Sequence, residues 1–250
     1  QQILEHVPNH VNATYKLGLL AYRRGDFKTG LQFVSQANQL QPNNAVFLND
    51  LGCGQLGLGN VADAVTSFQR AVKLDPAFAG AMCNLGIALV AMDQHAPAIE
   101  TFRRTIDLDP GHIAAHHQLG LAQAVSGAGV DAIAALRRAA VLAPASSEIH
   151  RDLAILALES GHIEMALAAL VRAVALEPEN SSLQLQIARV YHNLGRYLDA
   201  SHHAHKACTG EPHNAVAANL LGQTEERLHR PSAALASYLK AVAIDPQFTE

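Results

Sequence analysis

The sequence has no tryptophan, only three cysteines and an aromatic share of 5% in a chain of 250 residues. Charged residues reach only 16% and leave a formal net charge of −4, so no basic surface argues for nucleic acid or an anionic membrane. No uncharged apolar run attains the roughly 18 residues that a membrane helix needs. The opening residues, QQILEHVPNH, lack a basic start followed by an apolar stretch, so no signal peptide is expected. The chain also does not begin with Met, which leaves room for a processed N-terminus. Cys53, Cys83 and Cys208 are odd in number and lack metal-type spacing, which fits a reducing compartment and makes the cytoplasm the expectation. A Gly-rich phosphate loop after a strand, a Gly-x-Ser-x-Gly and a His-Glu-x-x-His are missing too. No catalytic residues, cofactor or metal are expected, and the chain is read as a non-enzyme.

What is present is a period. Prolines stand at Pro8, Pro42, Pro76, Pro110, Pro144, Pro178, Pro212 and Pro246, always 34 residues apart. A fixed period of this length marks stacked repeats, each packing on its neighbours, and not one globular core. Seven uninterrupted units follow, 11–44, 45–78, 79–112, 113–146, 147–180, 181–214 and 215–248, with residues 1–10 as the end of an incomplete one. The seventh place of each unit reads Leu17, Leu51, Leu85, Leu119, Leu153, Ile187 and Leu221. The eighth is small: Gly18, Gly52, Gly86, Gly120, Ala154, Ala188 and Gly222. The twentieth is Gly30, then Ala64, Ala98, Ala132, Ala166, Ala200 and Ala234.

Each unit breaks at a weak point such as Gly25-Asp26, Gly59-Asn60 or Gly195-Arg196. About 14 residues on either side carry apolar spacings of three and four, so each half is an amphipathic helix. The small eighth place lets the two helices approach closely. Asp63, Asp131 and Asp199 fall in the first turn of the second helix, where the dipole favours an acid. Pro97 and Pro231 fall near the same helix start, where proline is tolerated.

Leu-Gly at the seventh and eighth places, Ala at the twentieth, a large apolar residue near the twenty-fourth and Pro at the thirty-second together resemble the tetratricopeptide repeat family. The absent Trp and an eleventh place that is aromatic only at Tyr191 depart from its pattern. The resemblance implies an all-α, right-handed superhelical solenoid of helix-turn-helix repeats, with the first helices lining a concave groove. It also implies a scaffold that binds a protein or peptide partner there. An alternative starts from similar arrays that recruit substrates to bacterial glycosyltransferases and sulfotransferases, whose catalytic domain would lie outside this chain. Members of the glycosyltransferase kind carry an asparagine ladder, whereas here only Asn84 sits at the matching sixth place, beside Lys16, Asp50, Gln118, Asp152, Gln186 and Leu220. Repeats that clamp a chaperone's C-terminal carboxylate carry Lys and Asn where Tyr15, Leu19, Asn49 and Cys53 stand, so that activity is not implied.

The second, fifth, ninth, twelfth and thirteenth places share the expected open face of the first helix. The groove candidates are Leu19, Tyr22, Cys53, Leu56, Ile87, Val90, Leu121, Ile155 and Leu158, with Arg151, Arg189, His192 and Arg227 toward the C-terminal units. The face is thus apolar over five units and polar over the last two. A competing reading packs some of these side chains between neighbouring first helices.

Other patterns have bland readings beside sharper ones. His202, His203 and His205, and His112, His116 and His117, could offer metal ligands, or form solvated faces. Arg70, Arg104, Arg138, Arg172, Lys206 and Lys240 form a basic column that reads better as a salt-laced surface than as a polyanion track. Cys53 and Cys83 could form a redox pair, or be small packing residues. Ala204 and Gly210 stand where other units carry large apolar residues, which predicts a soft joint in unit six. The chain starts inside a second helix and ends without a closing one, which predicts a longer protein or end-to-end self-association.

Overall fold

The computed structural model describes residues 10–247, among which all regular structure is α-helical. The expected tail over 1–10, apart from His10, lies outside the described residues, as does Phe248. Fourteen helices among the described residues form seven pairs. The first four are α1 (Val11–Arg23) with α2 (Phe27–Leu40), α3 (Ala45–Gly57) with α4 (Val61–Leu74), α5 (Ala79–Ala91) with α6 (His95–Leu108), and α7 (Ile113–Val125) with α8 (Gly129–Leu142). The last three are α9 (Ser147–Glu159) with α10 (Ile163–Leu176), α11 (Ser181–Asn193) with α12 (Tyr197–Gly210), and α13 (Ala215–Arg227) with α14 (Pro231–Ile244).

The chain divides between Leu142 and Ala143 into two compact units, one holding α1–α8 and the other α9–α14. Within each, a first helix packs on its own second helix, and that second helix packs on the next first helix. First helices also touch directly: α3 meets α5, α5 meets α7, and α11 meets α13. This is the α-solenoid arrangement expected from the period.

Local chemistry explains the boundaries. The side chains of His10, Asn44, His112, Ser146, Asn180 and Asn214 accept backbone N–H groups at the starts of first helices, donors the helix cannot satisfy itself. The turn between paired helices needs one residue in the left-handed region. Glycine supplies it in five repeats, but Asp93 (φ 60°) and His229 (φ 59°) do so in the third and seventh.

The eighth place receives the twenty-fourth side chain of its own repeat. Phe68 and Phe102 are fully buried against Gly52 and Gly86. In the sixth repeat the pair shrinks to Ala188 and Ala204, both fully buried. Gly210, at the end of α12, is exposed, and a Cβ there would meet the Ser181 hydroxyl. The interior of this repeat is partly polar instead. His203 Nδ1 donates to Gln184 Oε1 at 2.6 Å, and its ring stacks on Tyr191 at 5.6 Å.

Three consecutive repeats share one clasp. His116, His150 and Gln184, all at the fourth place, donate to the carbonyls of Pro110 (3.1 Å), Pro144 (3.2 Å) and Pro178 (2.6 Å). A carbonyl that ends one helix pair is thereby satisfied from the next first helix.

Candidate functional site

The first-helix face is described separately in each compact unit. In the first, Leu19, Tyr22, Cys53, Leu56, Ile87, Val90 and Leu121 are all half-buried. Cys53 and Leu56 lean on the cluster of Phe68 and Ala88, while Ile87 and Val90 lean on that of Phe102 and Ala122. Each therefore divides its surface between interior packing and the face. Tyr22 reaches from α1 to the backbone of Gly54 in α3, and its hydroxyl oxygen is buried without a hydrogen-bond partner. Burial and the charge of Asp50 raise its pKa.

The fifth place is not part of the open face throughout. Asn49 (9% exposed), Cys83 (2%), His117 (7%) and Asn219 (8%) are buried at it, because adjacent first helices close over that side. Arg151 is half-buried there and pairs with Asp152 at 3.3 Å.

A polar chain crosses three first helices of this unit, and sequence columns did not bring it out. The Tyr15 hydroxyl donates to the Asp50 carboxylate, to which Asn49 Nδ2 also donates at 3.0 Å. Asn84 Nδ2 in turn donates to Asn49 Oδ1 at 2.9 Å and to Cys53 Sγ at 3.5 Å. The signal lay in polar residues at the fifth and sixth places of three successive repeats. Burial, with Asp50 adding to it, pushes the Cys53 thiol up to about 11, and burial alone does the same to Cys83. Both cysteines are free and stay neutral at ordinary pH.

In the second unit a cavity of about 470 Å³ opens between α9 and α11. Ile155, Leu158, Leu185 and Val190 form its apolar walls, with Glu159, Arg189 and Asn193 also lining it. Gln186 lines it as well, with Oε1 buried and lacking a hydrogen-bond partner. Ile155 (39% exposed) is the most open apolar candidate on this face. The structure thus brings Ile155, Leu158 and Arg189 into one cavity.

His192 and Arg227 belong to a different cluster. Thr224 gives its hydroxyl hydrogen to the Leu220 carbonyl and accepts from His192 Nδ1 at 3.0 Å. His192 meets the Tyr197 ring edge-on, and the Arg227 guanidinium lies 4.9 Å from the centre of that ring. Burial, then the charge of Arg227, lowers the His192 pKa.

Three of the other histidines are engaged in structure. His112 caps α7, His116 holds the Pro110 carbonyl, and His203 is held by Gln184. Burial, followed by the neighbouring His202 and Lys206, pushes His203 down to about 4. Among the described residues, the exposed His202 and His205 gain no third ligating side chain. Arg70, Arg104, Arg138, Arg172, Lys206 and Lys240 are all exposed on second helices.

A family model described as the tetratricopeptide repeat matches residues 49–113, 83–147, 151–201 and 185–247. Among solved structures, the chain is similar to YrrB, described as a TPR protein with an unusual peptide-binding site. The TM-score is 0.67 at 20% identity, over 72% of this chain and 93% of that one. A thermophilic TPR protein of Thermus thermophilus matches with a TM-score of 0.60 at 26% identity, over 72% of this chain and 98% of that one. PilF of Pseudomonas aeruginosa matches with a TM-score of 0.65 at 19% identity, over 82% of this chain and 93% of that one. No curated protein matches the chain in sequence.

Proposed function

The chain belongs to the tetratricopeptide repeat family, and on that premise we propose that it is a non-catalytic scaffold whose first-helix face holds a segment of a partner protein. Repeats of this family build scaffolds that generally mediate protein interactions. The observation that carries the proposal is the cavity between α9 and α11, with four apolar walls, Arg189 beside them and the unpartnered Gln186 oxygen. An apolar side chain of the partner fills the walls. A carboxylate of the same segment pairs with Arg189. YrrB, which its description credits with a peptide-binding site, supports this reading by analogy of fold.

The test is retention of one captured partner by the parent chain and by Ile155→Asp and Arg189→Glu. Loss of the partner with unchanged melting supports the proposal, and retention by both variants sinks it.

The proposal extends to association between copies. Leu235 (60% exposed) and Val242 (55%) on α14 occupy places that are buried or half-buried in every earlier repeat. Light scattering over a range of concentrations tests this, and a monomer throughout would refute it. No helix among the described residues is long and apolar enough to cross a membrane. The three free thiols suit a reducing, cytoplasmic setting.

A further inference from the structure

The first helices of the first compact unit carry almost no negative charge. Asp50 is the only aspartate or glutamate on α1, α3, α5 and α7. It is half-buried, and both of its carboxylate oxygens are held in place. Tyr15 donates to one and Asn49 to the other, and Asn84 fixes Asn49 in turn. Among the described residues, no cationic side chain pairs with it. Lys16, at the same sixth place of the preceding repeat, does not reach it.

The charge is surplus to these hydrogen bonds. Tyr15 and Asn49 need only an acceptor, and the uncharged oxygen of an asparagine would serve them. The sixth place does carry uncharged amides in the next two repeats, Asn84 and Gln118. Where an acid returns to it, at Asp152, Arg151 pairs with that acid at 3.3 Å. A partly buried carboxylate without a counter-charge costs solvation, and two fixed donors orient it before anything arrives. Each oxygen of Asp50 keeps acceptor capacity, since a carboxylate offers about four lone-pair sites.

On the reading that the first-helix face holds a partner segment, on which this step rests, we propose that Asp50 receives a lysine or arginine side chain of that segment. The first unit thus supplies a cationic anchor point in addition to the cavity between α9 and α11. The ammonium or guanidinium donates to the carboxylate, a charge-assisted hydrogen bond about twice as strong as a neutral one. Leu19, one turn beyond Tyr15, and Cys53, one turn beyond Asp50, are half-buried on the same face. They give the methylene stem of the incoming side chain an apolar wall while its charged head meets the acid. Tyr15, Asn49 and Asn84 act as positioning residues, because they hold the carboxylate and leave the cation to it.

The test titrates the whole chain into capped, dye-labelled peptides of leucine and alanine that differ in one central residue: arginine, lysine, glutamine or glutamate. Fluorescence polarisation reads the binding. The arginine or the lysine peptide is expected to bind about tenfold or more tightly than the glutamine peptide, the measure of one charged hydrogen bond. That preference should vanish in Asp50→Asn, which keeps an acceptor for Tyr15, and persist in Ile155→Asp. If Asp50→Asn fails to fold, Leu19→Arg, which tethers a competing cation one turn from Tyr15, should abolish the preference instead. Binding by the parent without preference for a cation, a preference that survives in the folded variant, or no binding of any of the four peptides would each overturn this anchor. The cavity reading stands or falls separately, on whether Ile155→Asp and Arg189→Glu release a captured partner.

Discussion

Phe68 Cε1 lies 2.6 Å from the point where a Cβ on Gly52 would stand. The ring and the missing side chain are one feature, since the fully buried phenyl fits only because the first helix has no methyl there. Gly86 and Phe102 repeat it at 2.5 Å, and Gly222 with Tyr238 at 2.6 Å.

Gly52→Ala is therefore expected to destabilise the fold by about 1–3 kcal/mol, the cost of overpacking, despite alanine's better helix propensity. Phe68→Leu in the same chain should recover part of that loss. Urea unfolding of the two single variants and the double variant gives the coupling directly. Additive losses would show that the ring has room to shift.

The left-handed turn residues give a prediction of opposite sign. His229, at φ 59°, carries a side chain where the other turns favour glycine. Its strain is of the order of 1–2 kcal/mol, and glycine's extra freedom in the unfolded chain returns part of that. His229→Gly should raise stability by about 0.5–1 kcal/mol. Asp93→Gly should gain less, because the exposed pair of Asp93 with His95 at 2.9 Å is lost with it. A lower midpoint for His229→Gly would mean that its side chain has a favourable role in the turn.

Ile87 and Ile155 stand at the same ninth place but should respond differently to charge. Ile155→Asp, on an exposed side chain, is expected to stay within about 0.5 kcal/mol of the parent. Ile87→Asp turns a charge toward the cluster around Phe102 and should cost several kcal/mol. Leu121→Asp, also half-buried, should lie between them. Thermal melts rank the three, and equal melting of all three would contradict the packing described for Ile87.

The contrast marks how far the columns of the sequence reach. The period, the paired helices, the left-handed turn and the small eighth place each follow from a residue type that one local geometry demands. Depth does not follow in the same way. Asn49 and Tyr15 share the fifth place, yet Asn49 is buried and Tyr15 is half-buried, because neighbours and not the place decide how much is covered. Side-chain partners escape the columns for the same reason. Gln55 and Gln123 are identical in type and place, and only Ser67 against Ala135 separates a satisfied amide from an orphan. The sequence likewise does not say that Ala188 and Ser181 are the residues beside Ala204 and Gly210.

Acid should loosen the sixth repeat. The His203 pKa is lowered from 6.5 to about 4, so below the higher value the unfolded chain binds a proton that the folded chain resists. Stability should fall as pH drops from about 6.5 toward about 4, and level off below that as far as this group is concerned. Replacing it by glutamine, His203→Gln, should flatten the part of the slope between pH 6 and 5, where carboxylates contribute least (roughly, from their ordinary pKa values). Urea midpoints measured across that interval test it, and an unchanged slope in the variant would assign the effect to another group.

The fit between the eighth and twenty-fourth places has one more consequence, for how such a chain can change over generations. Both members of the lock lie within the same 34 residues, as Gly52 and Phe68 or Ala188 and Ala204 do. A gene segment of that length can be duplicated, lost or exchanged, and the copy arrives with its interior already matched. What it leaves behind are bonds that cross from one repeat to the next, such as Asn84 to Asn49 or Glu225 to Ser201. Recombination thus conserves the fold while rewriting the side-chain surroundings on which discrimination between ligands rests.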